Sequence, residues 1–423
     1  MGKRVLLAGL GMQGMAALHD LAGCPDIGRI EVIDNRPDLL ACLDRYPAEK
    51  VRGRVLDAAD ESALAPLVRA ADVVVEALPA AFALPLGRLA ADCGASLVSS
   101  MYYLNPGEQD PDRIGRLREQ IGQIDRQARA KDVVILTEFG LDPGLDLILG
   151  AEAVRGLDRV VRFRMYGAGI PAPNARANPL RYKFSWSIAG VMKAYRRPAR
   201  IIAGGRAVTI ESDRIFEAAN THTLELEELG SPLECFANGD CVPYAELLGI
   251  RESVQEMGRY TGRLPGHCEF WDKMVKSGFL DEAPVRVGGV QVAPLQFTAS
   301  LLGSRPEFHY AGQEQDMAWI RVETEGARRG RTKRIVLQLV DRKDLATGLT
   351  AMQRTVGFTL SLGAQLILEG RIGKKGLLTA LDVPFEAVFP RLEKHNLRVQ
   401  RIVDRSSRSP ASCRQRAARD MPK

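Results

Sequence analysis

Six residues near the amino terminus, Gly9-Leu10-Gly11-Met12-Gln13-Gly14, and the carboxylate of Asp34 twenty positions beyond them have the types and spacing to hold a dinucleotide. The glycines allow a tight turn and close backbone approach, so a pyrophosphate can rest on the unpaired N–H groups at a helix start. Asp34, with Asn35 beside it, suits the adenosine ribose hydroxyls. A carboxylate there repels a 2′-phosphate, so the expected cofactor is NAD, with NADP left open by Arg36. Three ionisable residues further on are candidates for proton transfer. Asp142 stands just before Pro143-Gly144, either as a helix cap or pointing into a cofactor crevice. Lys183 can serve as an acid/base if desolvated, or merely orient its loop. His267 has an intrinsic pKa near neutrality, although a histidine is as readily a packed side chain.

Chemistry at Gly9–Gly14 requires a strand before it and a helix after it. Val5-Leu-Leu-Ala8 reads as a buried strand and the run to Leu21 as a helix. Alternation continues with strands at Arg29–Ile33 and Arg54–Asp57, a helix over Glu61–Arg69, a strand at Asp72–Glu76, another helix to Cys93 and a strand at Ser96–Ser99, and a strand at Val133–Leu136 closes this half. This predicts an α/β fold, a Rossmann-type doubly wound parallel sheet whose strand carboxyl ends line the crevice. Asp57 then falls near the adenine and Ala77–Pro79 near the second ribose. Beyond Leu145 the pattern changes to strands with long connections and hairpins at Gly204-Gly205 and Gly326–Gly330, which predicts a second α+β domain with a largely antiparallel sheet. The expected division is a dinucleotide-binding domain over 1–140, a substrate-binding and dimerisation domain over 141–350, C-terminal helices over 351–403 that return to the first domain, and a disordered basic tail over 404–423.

At 423 residues and 46% hydrophobic, the chain can bury a sizeable core. Its formal net charge is +6, but Asp404–Lys423 holds six arginines and lysines against two aspartates, so the body is nearly neutral. That argues against nucleic acid as a partner. Glycines 9, 11 and 14 interrupt the early apolar run, and no segment approaches the roughly 20 apolar residues of a membrane span, so no membrane partner is expected. Seven scattered cysteines show no C-x-x-C pair and no metal-ligand spacing, which fits a reducing cytoplasm and no metal.

The strings Glu138-Phe-Gly-Leu-Asp-Pro-Gly-Leu-Asp146, Gly169-Ile-Pro-Ala-Pro173 and Asn178-Pro-Leu-Arg-Tyr-Lys-Phe-Ser-Trp-Ser187, followed by Ser277-Gly-Phe-Leu280 and Thr350–Gly357, resemble the L-glutamate-forming saccharopine dehydrogenase family over roughly residues 3–400. The resemblance implies nicotinamide-dependent oxidation of saccharopine to L-glutamate and 2-aminoadipate 6-semialdehyde by a homodimer. It implies that Gly9–Gly14, Asp34, Asp57, Leu141 and Ser187 hold the cofactor. Met101 and Tyr102 fall on a substrate-touching pair, Asp142 on a carboxylate that meets both ligands, and Thr261, Gly262 and Arg263 on a segment gripping a substrate carboxylate.

Two positions depart from the family pattern. Gly167 replaces a cysteine after the strand tyrosine, and Gly239, within Asn238-Gly-Asp240, replaces an arginine that helps bind saccharopine. One lost charge-assisted pair corresponds to about 1.5–3 kcal/mol, or roughly one to two powers of ten in affinity. A lysine 6-dehydrogenase-like or carboxyspermidine dehydrogenase-like amine dehydrogenase therefore stays open, as does a non-catalytic NAD-binding member of the family.

Overall fold

Strands β1 (Lys3–Ala8), β2 (Ile27–Asp34), β3 (Val51–Val55), β4 (Val73–Glu76), β5 (Ser96–Ser99) and β6 (Val134–Leu136) form a parallel sheet in the order β6-β5-β4-β1-β2-β3. The structure is a computed structural model that describes residues 2–402, so the tail expected to be disordered at 404–423 lies outside the described residues. Helices cover both faces of this sheet, which is why Val5, Leu6, Leu7 and Ala8 are all buried. The chain leaves β1 towards β2 on one side and resumes at β4 on the other, which opens a crevice at the strand carboxyl ends.

The second sheet is mixed. Strands β7 (Arg159–Pro171), β8 (Ala199–Ala203), β9 (Arg206–Ile210), β10 (Thr221–Leu224), β11 (Leu233–Ala237) and β12 (Glu256–Arg263) come first. A small separate hairpin, β13 (Val285–Val287) with β14 (Val290–Val292), precedes the long pair β15 (Asp316–Arg328) and β16 (Arg331–Arg342). The path runs β10-β11-β12-β7-β15-β16, with β7 and β12 parallel and the other neighbours antiparallel.

The last part of the chain joins the two sheets. The Ala351–Leu368 helix, buried on nearly every side, packs against the Met12–Gly23 helix that follows the glycine loop. Thr350 and Gln353 close its start with a capping box, and Gln353 Nε2 also donates to the carbonyl of Met12 at 3.2 Å. From the second sheet, the Asp316 carboxylate accepts from Ala351 N–H at 2.7 Å and Met352 N–H at 3.0 Å. The segment expected to close with helices alone adds two strands. Here β17 (Gly376–Leu378) pairs beside β6 in the first sheet, and β18 (Val399–Ile402) pairs with β16 in the second.

The crossing of the two long helices depends on Gly357. A Cβ at that position would lie 2.6 Å from Ala16 Cβ, 2.6 Å from Gln13 O and 2.8 Å from Ala17 N. Gly357→Val is expected to destabilise the protein by about 1–3 kcal/mol, the usual cost of overpacking a closed core, as measured by urea unfolding. An unchanged midpoint would show that the helices can separate without cost.

Candidate active site

The crevice at the carboxyl ends of β1, β2 and β4 is a cleft of about 710 Å³. Gly9, Leu10, Gly11, Met12, Gln13, Asp34, Asn35 and Asp57 line it, with Met101 and Ser187 at its edge. These residues fit a dinucleotide. Gly9 has φ of +93°, and a Cβ there would lie 2.6 Å from Ala77 O. At Gly14 a Cβ would lie 2.1 Å from Gly9 O, so Gly14 permits the close packing of loop and helix rather than lining the cleft. The Met12–Gly23 helix begins at Gly11 with no side-chain cap, which leaves its first N–H groups for a phosphate.

Asp34 is buried and committed within the protein. Its Oδ2 accepts from Leu10 N–H at 2.8 Å and its Oδ1 from Arg36 N–H at 2.9 Å, so it braces the glycine loop. The Arg36 guanidinium stands 3.4 Å from Oδ1 with its side chain 56% exposed at the cleft. This weakens the argument from Asp34 for NAD. The carboxylate meant to repel a 2′-phosphate is turned to backbone donors and partly offset by Arg36.

Beneath the neighbouring turn lies Glu76, fully buried at the end of β4. It accepts from Leu78 N–H at 2.9 Å and from the Ser99 hydroxyl, and so fixes the Ala77–Pro79 turn against β5. Burial pushes its carboxyl up from 4.5 to about 7, with those two hydrogen bonds opposing.

A second group of polar side chains gathers where the loop after β6 meets β12. The Arg259 guanidinium, side chain 2% exposed, donates to Asp142 Oδ1 and, at 3.0 Å, to Asp146 Oδ2. It also donates to Tyr102 Oη at 3.0 Å and lies 5.0 Å over the Tyr244 ring. Tyr244 in turn donates to Glu138 at 2.8 Å. Asp146 starts a helix, where its Oδ1 accepts from Gly144 N–H at 2.8 Å. Burial pushes Asp146 up to about 7, Arg259 opposes this, and the nearby Asp142 adds to it. One guanidinium thus faces two carboxylates. The Arg259 Nε–H has no hydrogen-bond partner among the described residues.

Strand alternation explains the layout. Arg259, Thr261 and Arg263 project from one face of β12. Thr261 pairs with Gly167 on β7, and a Cβ at Gly167 would lie 2.8 Å from Asp142 Oδ2. The absence of a side chain at Gly167 therefore makes room for the Asp142 carboxylate. Arg263 is buried, donates to Gly262 O at 2.9 Å and to Tyr195 Oη at 3.4 Å, and lies 5.0 Å over the Tyr182 ring. Among the described residues it has no carboxylate partner.

Of the nominated residues, Gly14, Tyr102, Leu141, Asp142, Lys183, Thr261, Gly262, Arg263 and His267 do not line this cleft. Lys183 Nζ donates to Glu314 Oε2 at 2.7 Å and to His309 O at 2.9 Å, so it anchors its loop and is not available as an acid/base. His267 is buried among Tyr182, Tyr195, Phe236 and Trp271, with Nε2 2.9 Å from Tyr195 Oη. Burial and then Arg263 drive its pKa well below the usual histidine value, which makes it a neutral packed ring. The Leu141 side chain lies in the core. Asn178 braces the block that ends at Ser187, with Nδ2 donating to Tyr182 O and Glu307 O and Oδ1 accepting from two backbone N–H groups. Ser187 caps the next helix at Gly190 N–H, 3.2 Å away. Sequence reasoning missed Arg259, Asp146, Glu138, Tyr244 and Glu76. Only Arg259 carried a signal, since period-two spacing from Arg263 and Thr261 reaches it.

Comparison with known proteins finds relatives over both parts of the chain. The family model of the saccharopine dehydrogenase NADP binding domain matches residues 5–136, and that of the saccharopine dehydrogenase C-terminal domain matches residues 140–397. An L-glutamate-forming, NADP(+) saccharopine dehydrogenase of Saccharomyces cerevisiae is 28% identical over 312 residues, covering 72% of this chain and 65% of that protein. An alpha-aminoadipic semialdehyde synthase of Arabidopsis thaliana is 25% identical over 411 residues, covering 80% of this chain and 37% of that protein. The chain thus spans less than two thirds of the length of these relatives. The solved apo saccharopine dehydrogenase (L-Glu forming) of S. cerevisiae shares the fold, with a TM-score of 0.77 at 23% identity over 95% of this chain and 100% of that one.

The buried carboxyls give a pH signature. In the unfolded chain Glu76 releases its proton near 4.5, whereas the folded site holds it to about 7. Its stabilising contribution is therefore complete below the unfolded value and lost as pH rises through about 7. Glu76→Gln keeps an acceptor for Leu78 and removes the charge, so thermal melts at pH 5 and pH 8 are expected to differ less in the variant than in the parent. An equal difference in both would show that Glu76 is not the source.

Proposed function

The chain belongs to the saccharopine dehydrogenase family, and from that premise we propose that it is a nicotinamide-dependent oxidoreductase of lysine metabolism interconverting saccharopine with L-glutamate and 2-aminoadipate 6-semialdehyde. The observation that carries the proposal is the Asp142–Arg259–Asp146 cluster, tied through Tyr102 to the loop whose Met101 lines the glycine-loop cleft, with the buried Arg263 further along the same strand.

The oxidation removes a hydride from the carbon beside the secondary amine and a proton from the nitrogen, and water then adds to the C=N carbon and L-glutamate leaves as the amine; the residues below serve the binding and proton steps. Two carboxylates on one guanidinium attract a substrate ammonium, and Asp142, the more exposed of the two, is the one placed to hold it and take its proton. Tyr102 accepts from Arg259, which leaves its own O–H to donate to a substrate oxygen. Thr261 and Arg263 lie further along the same strand face and supply a hydroxyl and a fork-shaped cation for a substrate carboxylate. The bound nicotinamide would supply the carbon that accepts or returns the hydride. The chain's own task is to place the amine-bearing carbon at the cleft and to manage the proton.

NADP(H) is the proposed cofactor. The Gly9–Gly14 loop and the helix start hold the pyrophosphate, Asp57 and Asn35 border the adenosine end, and Arg36 faces the 2′-phosphate. Residence in a reducing cytoplasm and assembly as a homodimer through the second sheet belong to the same proposal, and the six described cysteines are free thiols. Among the described residues, no helix is long and apolar enough to cross a membrane.

A substrate panel tests the reading. Saccharopine with NADP+ is expected to give the largest rise in reduced-nicotinamide absorbance, above lysine and carboxyspermidine. Arg36→Ala is expected to lower kcat/KM for NADP+ by about tenfold, in line with loss of one charge-assisted pair, and to leave NAD+ unchanged. Turnover of lysine but not saccharopine would move the chain to another amine dehydrogenase.

A further inference from the structure

Three arginines follow one another closely after the Ile188–Tyr195 helix, and two of them are paired at the surface. Arg196 meets Asp281 at 3.1 Å and Arg200 meets Asp240 at 2.8 Å. Arg197, between them, has no ion pair and no hydrogen bond through its guanidinium among the described residues. Pro198 ends the helical course and biases Arg197 away from a helical backbone, which redirects the chain at this point.

Its stem is held by glycines. At Gly107, on the loop after β5, a Cβ would fall 2.2 Å from Arg197 Cγ and 2.9 Å from its Cδ. At Gly239 a Cβ would fall 3.8 Å from the same Cδ. Arg197 therefore crosses both glycines, half-buried. Its charge feels Tyr102, Arg259 and Asp142, while burial lowers its own pKa. Arg259 is committed to Asp142 and Asp146, so it cannot neutralise a further anion without giving up a carboxylate. The half-buried guanidinium has no anionic partner among the described residues, and an incoming carboxylate would supply one.

We infer that Arg197 is a specificity-determining residue that binds a carboxylate of the substrate, supplying from the end of a helix the cation that Gly239 does not. The inference rests on the saccharopine reading above and adds a third arginine to a site otherwise offering Arg259, held by two carboxylates, and Arg263. Its stem lies against Gly107, on the loop that also carries Tyr102, and it does not line the glycine-loop cleft, which assigns it to the substrate and not to the cofactor phosphates.

Steady-state kinetics of the full chain with saccharopine and NADP+ test this, with NADPH binding followed by fluorescence. Arg197→Met keeps the stem between the two glycines and removes the charge. It is expected to raise the KM for saccharopine about ten- to a hundredfold while changing kcat and the Kd for NADPH less than twofold, as loss of one charge-assisted pair predicts. Arg197→Lys is expected to recover part of the loss, and thermal melts of both variants are expected to match the parent. A parent-like KM in Arg197→Met, weakened NADPH binding, or an equal loss in Arg197→Lys would overturn the inference. If Arg197→Met does not fold, the Lys variant decides, since a merely structural stem tolerates lysine with no change in KM. Failure of the unsubstituted protein to turn over saccharopine at all would instead overturn the reading on which the inference rests.

Discussion

The guanidinium of Arg259, shared by Asp142 and Asp146, is the interaction on which the rest of the site depends. It comes from the strand β12 of the second sheet, and both carboxylates come from the turn that closes the first. Joining them ties the mixed sheet to the parallel one. A buried cation between two acids is electrostatically unbalanced, and its environment follows from that imbalance. Burial, with Asp142 close by, holds the Asp146 proton to about 7 against the pull of Arg259, the Tyr244 ring covers the guanidinium, and Gly167 leaves space for the Asp142 carboxylate.

Around this centre the fold separates duties. The parallel sheet supplies a cleft whose floor is backbone, suited to phosphates that need N–H donors and no specific side chain. The mixed sheet supplies Arg259 and Arg263 from one face of β12, the first held by two carboxylates and the second with none among the described residues, which suits Arg263 to a substrate carboxylate. The Ala351–Leu368 helix secures the arrangement, capped by Asp316 of the second sheet and packed through Gly357 on the helix of the glycine loop.

Local chemistry was legible in the sequence, and distant chemistry was not. Gly9–Gly14 and Asp34 could be read because their roles depend on neighbours within about twenty-five residues. The partners of Arg259 lie more than a hundred residues away, so nothing near it in sequence announces an ion pair. Lys183 and His267 show the reverse error. Both have side chains suited to proton transfer, but Glu314 takes one and an aromatic cage takes the other, and neither partner is close in sequence to Lys183 or determines by itself which way the ring turns. The Pro111–Ala130 helix was readable from Ile114, Leu117, Ile121, Ile124 and Ala128 at three- and four-residue spacing, but its polar remainder masked it. The strands β17 and β18 are too short for periodicity to show and exist because a sheet edge was available to each.

The central claim is that a carboxylate-rich amine binds between Asp142 and the cations carried by the second domain. A crystal structure with saccharopine and the oxidised cofactor tests it most directly. The account predicts the secondary amine against Asp142, substrate carboxylates within hydrogen-bond distance of Arg263 and Arg197, and Arg259 still bridging Asp142 and Asp146. Saccharopine bound with its carboxylates away from both arginines, or an Arg259 that leaves its two aspartates to take the ligand, would contradict it.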